Sequence, residues 1–169
     1  AVSAQAGALR KPVFTRFAKA AAGRLALARM AAPSADLIFT VRDRLRNHQN
    51  ARGKLADAKE AKKGEAQAAA DAELAEALST HAWAMAADRL RRRARAEELR
   101  PDSDAAFVSD LTRAAQAVDQ LRDNHQQGIP AEEVIAVLAR VAGAVRKLEA
   151  GHGFAEMTAG LQHLAKQER

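Results

Sequence analysis

Apolar residues recur at spacings of three and four along most of this 169-residue chain, in stretches separated by Pro33, Pro101 and the pair Ile129-Pro130. Such spacing places the apolar side chains on one face of an α-helix. Proline ends a helix that precedes it and suits the first turn of the helix that follows. The pattern therefore predicts amphipathic helices joined by short connections, and it contains no run of the alternating type that β-strands show.

Seven helical segments are predicted, and they cover roughly residues 13–31, 34–49, 51–72, 74–100, 102–127, 130–150 and 154–164. Ser34 is the predicted N-cap of the second, and Asp102 or Ser103 that of the helix after Pro101. Gly151 and Gly153 are expected to end the sixth. The predicted fold class is all-α, with stacked antiparallel helical hairpins that form an αα-repeat array of about six or seven helices.

Residues 51–72 differ from their neighbours because Leu55 is their only large aliphatic residue. Their alanine, lysine and glutamate favour a helix that has little to bury. An exposed helix is predicted there, with a flexible linker as the alternative. The apolar pattern returns in a predicted buried stripe made of Leu74, Leu78, Trp83, Ala87, Leu90 and Ala94. Two domains are predicted: a basic N-terminal helix at 1–33, and a helical-repeat domain at 34–169 that contains the exposed helix or linker at 51–72.

The net charge of +6 is unevenly distributed along the chain. Residues 1–63 hold 14 Lys and Arg against 4 Asp and Glu, whereas residues 64–169 hold 13 against 17. This imbalance predicts an acidic or anionic partner: the acidic 102–123 stretch of the same chain, an acidic protein, RNA or DNA, or an anionic membrane. The residues predicted to contact it are Arg10, Lys11, Arg16, Lys19, Arg24, Arg29, Arg42 and Arg46.

The first 33 residues are rich in alanine and arginine and contain no acidic residue. That composition is typical of organellar targeting segments, and a mature mitochondrial protein on the matrix side is the expected location. Bacterial chains from GC-rich genomes share such composition, so the bacterial cytoplasm is the alternative. No charge-free stretch approaches the roughly 20 residues of a bilayer span, so no transmembrane segment is predicted.

The run AAQAVDQLRDNHQQGIPAEEVIAVLARVA, residues 114–142, resembles the second helix of one pentatricopeptide repeat, the turn, and the first helix of the next. The family usually places one more residue between Gly-Ile and Pro, so tetratricopeptide-like repeats and generic αα-hairpins stay open. The resemblance implies stacked helical pairs that bind RNA or dock on proteins. One precedent is the small pentatricopeptide-like accessory subunit on the F1 sector of euglenozoan mitochondrial ATP synthase.

Candidate catalytic and metal-binding residues are sparse. The chain has no cysteine, which excludes disulfides, thiolate ligands and cysteine catalysis. No two histidines show the i, i+4 spacing of a helical metal site, and we interpret all five as surface residues: His48, His81, His125, His152 and His163. The adjacent pair Glu97-Glu98 diverges by about 100° on a helix, which argues against a two-carboxylate site.

The densest basic run, residues 89–95, spreads around its predicted helix. Ion pairs from Asp88 to Arg92 and from Arg93 to Glu97 are expected to neutralise part of it. The predicted function is a non-catalytic docking subunit of a larger mitochondrial assembly, bound to protein subunits and without a cofactor or metal. The alternative is a basic RNA- or DNA-binding module, either an organellar repeat protein or a bacterial nucleic-acid-processing or conjugation module.

Overall fold

Four α-helices form the part of the chain that this computed structural model describes, residues 33–167. They are α1 (Ser34–Ala61), α2 (Glu65–Glu98), α3 (Ala105–Gln126) and α4 (Ala131–Gln167). The prediction of an all-α fold is confirmed. The helix predicted at 13–31 lies outside the described residues.

The four helices form a closed ring. Short connections reverse the chain after α1, α2 and α3, so consecutive helices run antiparallel. α1 packs against α2 and α4, and α3 packs against the same two helices. Asp36, near the start of α1, lies 3.4 Å from Arg146 of α4, which marks the contact that closes the ring. This is the arrangement of an up-down four-helix bundle, and stacking of hairpins into a longer array is not confirmed.

Six helices were predicted over the described range, and two of the predicted interruptions are wrong. α1 continues past residue 50 and through Gly53, and α4 continues through Gly151 and Gly153 to Gln167. An isolated glycine costs a helix about 1 kcal/mol, which flanking residues with high helix propensity can offset. The segment predicted as one helix at 51–72 contains a turn instead, at residues 62–64.

Two of the three connections end their helix with the same hydrogen-bonding motif. After α3, the Ile129 N–H donates to the Asn124 carbonyl at 3.0 Å and the Gly128 N–H to the His125 carbonyl at 3.1 Å. Gly128 has a φ of 102°, which glycine adopts without strain. This Schellman motif satisfies carbonyl groups that the end of a helix leaves free.

After α1, the Lys63 N–H donates to the Ala58 carbonyl at 3.1 Å and the Lys62 N–H to the Lys59 carbonyl at 3.3 Å. Here Lys62 takes the left-handed position, with a φ of 52°. A side chain in that conformation costs about 1–2 kcal/mol. The turn that separates α1 from α2 is therefore the more strained of the two.

The remaining connection, between α2 and α3, depends on Asp104. Its side chain accepts a 3.1 Å hydrogen bond from the Phe107 N–H, so Asp104 is the N-cap of α3. The predicted caps Asp102 and Ser103 are wrong because the Ser103 N–H closes a turn on the Arg100 carbonyl and delays the helix. Ser34, the other predicted cap, is the first residue of α1.

Aliphatic side chains and alanines fill the centre of the bundle. Alanine at Ala86, Ala115 and Ala142 lets the helices approach closely. Large buried residues come from every helix: Ile38, Val41 and Leu45 from α1, Trp83 and Leu90 from α2, Phe107, Leu111 and Val118 from α3, and Val134, Leu138 and Val145 from α4. Full burial of each such side chain contributes about 1.5–3 kcal/mol.

An arm made of residues 46–71 contains none of the buried residues. It comprises the end of α1, the turn at 62–64 and the beginning of α2. Leu45 is the last buried residue of α1, and Ala72 is the first buried residue of α2. The predicted exposed segment 51–72 falls almost entirely within this arm.

The two glycines Gly128 and Gly143 should respond oppositely to alanine. Gly128→Ala should destabilise the fold by about 1–2 kcal/mol, because alanine is strained at that positive φ. Gly143→Ala should stabilise it by up to about 1 kcal/mol, because Gly143 lies within α4 and a Cβ there meets nothing within 4 Å. Urea unfolding followed by circular dichroism measures both, and a loss of stability in Gly143→Ala would contradict the assigned helix.

Candidate functional site

Of the residues predicted to contact an anionic partner, two lie in the described part of the chain, Arg42 and Arg46. The other six lie outside it: Arg10, Lys11, Arg16, Lys19, Arg24 and Arg29. Both described arginines belong to α1, one turn apart. Arg46 is exposed, and Arg42 is half-buried.

Arg42 belongs to a compact cluster around Phe39 on the α1–α4 side of the bundle. Its Nε lies 2.9 Å from Asp43 Oδ1, and its guanidinium carbon lies 4.7 Å from the centre of the Phe39 ring. Arg146 of α4 lies at the same distance from that ring and 3.4 Å from Asp36. Cation–π contacts of this kind contribute about 0.5–1 kcal/mol at exposed sites. Because each arginine has a carboxylate beside it, this cluster is a weak candidate for binding phosphate.

Three of the five arginines in the arginine-rich run of α2 have a carboxylate or an aromatic ring beside them. Arg91 forms an ion pair with Asp119 of α3, and Arg92 lies 2.8 Å from Asp88, as predicted. Arg93 lies over the Phe107 ring, 5.7 Å from its centre, and does not form the predicted pair with Glu97. The run therefore divides its charges among different neighbours and forms no single phosphate-binding track.

Glu97 is instead the centre of a buried polar cluster where the α2–α3 connection meets α4. Its side chain is 6% exposed, and one oxygen lies 3.3 Å from His152 Nε2 and 3.4 Å from Arg100 Nη1. The other oxygen accepts a 3.1 Å hydrogen bond from the Asp104 N–H. A buried carboxylate is tolerated when such bonds satisfy it. Glu97 thus connects α2, the start of α3 and α4.

His152 completes this cluster from α4. Its side chain is 8% exposed, and its ring stacks on Phe107 at 3.8 Å between centres with an angle of 4° between planes. Nδ1 lies 3.8 Å from Asp104 Oδ2. The interpretation of His152 as a surface histidine is wrong, because the helix does not stop at Gly151 and carries the ring onto Phe107.

The fold perturbs the titration of His48. Partial burial lowers the pKa of His48 below its ordinary 6.5, and the positive charges of Arg52 and His125 act in the same direction while Glu76 opposes them. The neutral imidazole is therefore favoured in the folded state. The main cause of the lowered pKa is the desolvation of His48, which lies near one end of the bundle, where the arm begins.

The outer face of α2 carries three exposed large apolar side chains, of which Leu74 and Leu78 were predicted to be buried. Leu74 is 60% exposed, Leu78 37% and Met85 45%. With the exposed His81 they form a line spaced four, three and four residues apart, which we name the outer stripe. Ala72, Trp83 and Leu90 lie on a different face and take the core positions. Leu74 and Leu78 also line a groove with Arg44 and Asn47 of α1.

The sequence pattern assigned Leu74 and Leu78 to the core because α2 carries two apolar faces at helical spacing. Trp83 and Leu90 continue the face that packs on the bundle, whereas Leu74 and Leu78 precede it on the other. Periodicity alone does not say which face is covered. One feature of the sequence did indicate exposure: Leu55 is the only large aliphatic residue in 51–72, so this segment offers little apolar surface to cover Leu74.

Comparison of the chain with protein-family models, with curated proteins and with solved structures finds no significant match. No helix within residues 33–167 has the length and apolar character that a bilayer span requires. The same residues contain no group of three or more His, Asp or Glu side chains placed to hold a metal ion. A function for this chain therefore has to be inferred from the geometry of the outer stripe and of the two polar clusters, one around Phe39 and one around Glu97.

Glu97→Ala should destabilise the bundle by about 1–3 kcal/mol, because it leaves the Asp104 N–H and the groups of His152 and Arg100 without their shared acceptor. Its neighbour Glu98 is exposed, so Glu98→Ala should change stability by less than about 0.5 kcal/mol. Chemical denaturation of the two variants tests the assignment. Equal effects would contradict it.

Because the folded-state pKa of His48 is lowered, its contribution to stability is present above the ordinary value of 6.5 and is lost as pH falls through the folded value. The free energy of unfolding should therefore decline as pH falls below 6.5, and less so in His48→Gln. An unchanged slope in His48→Gln would refute the effect.

Proposed function

We propose that this chain is a non-catalytic docking protein whose outer stripe on α2 packs against another polypeptide. The observation that carries the proposal is the exposure of Leu74, Leu78 and Met85 on one continuous helical face. Singly exposed apolar residues are ordinary on protein surfaces, but a line of them marks an interaction site. A helix face of this spacing is suited to pack on a partner helix.

Covering the outer stripe would provide a substantial part of the binding free energy. Each large apolar side chain contributes about 1.5–3 kcal/mol when it passes from full exposure to full burial. Leu74 and Met85 expose about half of their surface and Leu78 over a third, so each supplies a fraction of that value. The adjacent groove, with Arg44 and Asn47, supplies polar groups at the edge of the contact. Such an apolar centre with a polar rim is the usual anatomy of a protein interface.

The polar clusters support a structural role more than a chemical one. In the Glu97 cluster, Phe107 covers one face of the His152 ring, and the carboxylate is bonded to a backbone N–H and to two side chains. These groups serve the connection between helices. The two arginines around Phe39, and Arg91, Arg92 and Arg93 in the arginine-rich run of α2, have carboxylates or aromatic rings beside them, which favours protein docking over nucleic-acid binding for the described part of the chain.

A larger assembly on the matrix side of mitochondria is the setting that the sequence favours, with an F1-associated position as one form of it. The pentatricopeptide resemblance and the RNA- or DNA-binding alternative stay predictions that depend on residues 1–32 and on 114–142. The docking surface itself depends on α2 and on the neighbouring groove residues Arg44 and Asn47 of α1. It can be tested without knowing the setting.

Affinity capture with the tagged full chain should retain the same polypeptides reproducibly, identified by mass spectrometry, and Leu78→Asp should lose them. A charge at that position would have to be buried without a partner in the interface, which is strongly unfavourable. Leu99→Asp is the matched control, because Leu99 is 78% exposed in the α2–α3 connection and lies away from the stripe.

Retention of the same polypeptides by Leu78→Asp would overturn the proposed surface. Loss of them in Leu99→Asp as well would show that added charge, and not the stripe, determines capture. Circular dichroism of both variants shows whether the helices remain intact.

A further inference from the structure

Met85 is the sulfur-containing member of the outer stripe, and its side chain is 45% exposed. The chain has no cysteine and no tyrosine, and its single tryptophan, Trp83, is buried in the core. Thiolates and thioethers are the side chains that peroxides oxidise. Because no thiol is present, a peroxide that reaches this face of α2 meets the Met85 thioether.

Arg89 lies four residues after Met85 on α2, so the two side chains are neighbours on the helix surface. Arg89 Nε is buried and has no hydrogen-bond acceptor in the described part of the chain. A thioether sulfur is a weak acceptor, whereas a sulfoxide carries a polar oxygen. Oxidation of Met85 therefore places an acceptor beside an unpaired donor.

The reaction with hydrogen peroxide changes one end of the outer stripe from apolar to polar. The sulfur atom attacks one peroxide oxygen, an S–O bond forms and the O–O bond breaks. The second oxygen leaves as hydroxide and takes up the proton of the first, so the products are a sulfoxide and water. The sulfur loses two electrons and the peroxide gains them.

We propose that hydrogen peroxide oxidises Met85 to the sulfoxide, and that the sulfoxide prevents docking at the outer stripe. The inference rests on the proposed function and adds regulation of the same surface. In the docked state, the sulfoxide oxygen and the Arg89 guanidinium bonded to it would lose water and enter an apolar contact, which is unfavourable. Reduction to the thioether restores the apolar surface.

The bundle itself should tolerate this oxidation, because Met85 is not a core residue. Its neighbours Trp83, Ala86 and Ala87 are buried, but Met85 lies on a different face of α2. A sulfoxide disrupts packing when it forms inside a core, whereas on this face of the free chain it remains in contact with water. Docking and folding should therefore respond differently to peroxide.

Peroxide treatment of a single-methionine chain tests the reactivity. Met30→Leu and Met157→Leu together leave Met85 as the only methionine, by substitutions that conserve volume and apolar character. Peptide mass spectrometry should find one added oxygen atom at Met85, with the circular dichroism spectrum and urea unfolding curve unchanged. Resistance of Met85 to peroxide that fully oxidises a short methionine peptide would overturn the proposal, and so would unfolding of the oxidised chain.

Affinity capture with the same chain, after the peroxide has been removed, tests the effect on docking. The oxidised chain should retain its polypeptides at least about tenfold less well than the untreated chain, because a polar group must be buried. Treatment of the oxidised chain with methionine sulfoxide reductases should restore the capture. Addition of Met85→Leu gives the matched control, a chain without methionine whose capture peroxide should leave unchanged.

These outcomes separate the inference from the function on which it rests. If the untreated and oxidised chains capture the same polypeptides equally well, the regulation is wrong and the docking function stands. If peroxide also abolishes capture by the methionine-free control, the oxidation acts elsewhere and the role of Met85 is wrong. If the untreated chain captures nothing, both the docking function and its regulation fail.

Discussion

The packing of α1 against α4 is the contact on which the rest of the bundle depends. The other three contacts join helices that follow one another, so short connections bring them together. α1 and α4 lie at opposite ends of the described chain, and their contact must be made without such help. Ile38, Val41 and Leu45 supply its apolar surface, and the pair of Asp36 with Arg146 lies at its edge. Without that contact, α1 would pack against α2 alone, as one half of a helical hairpin.

The connections show how differently a bundle can end its helices. Gly128 adopts its positive φ freely, Lys62 adopts one with strain, and the α2–α3 connection uses side chains instead. There Asp104 caps α3 while its own N–H is bound by Glu97. His152 of α4 contacts the same Glu97 carboxylate. The Glu97 cluster thus acts at the end of the bundle where α4 continues past its neighbours.

The sequence predicted the helical class, the connections near Pro101 and Pro130, and the buried positions Trp83, Ala87, Leu90 and Ala94 of α2, because all three depend on local propensity and on periodicity. It misplaced two interruptions: α1 continues past the predicted break near residue 50, and Gly151 and Gly153 weaken α4 without ending it. It also did not predict that Lys62 takes the left-handed position in the turn at 62–64. It assigned Leu74 and Leu78 to the core because a helix with two apolar faces offers no local clue to which one is covered. The Glu97–His152 contact was missed because its members are 55 positions apart and meet only after the ring has closed.

The arm has a consequence for how the molecule tolerates change. Since residues 46–71 contribute no buried side chain, we expect their backbone to open locally without disturbing the core, and their amide protons to exchange faster than those in the rest of α1 and α2. Adding or removing matched turns of helix on both sides of residues 62–64 would alter how far the arm reaches while leaving the bundle at its original stability. Reach and stability are thus separate properties in this chain, and one can vary while the other is held constant.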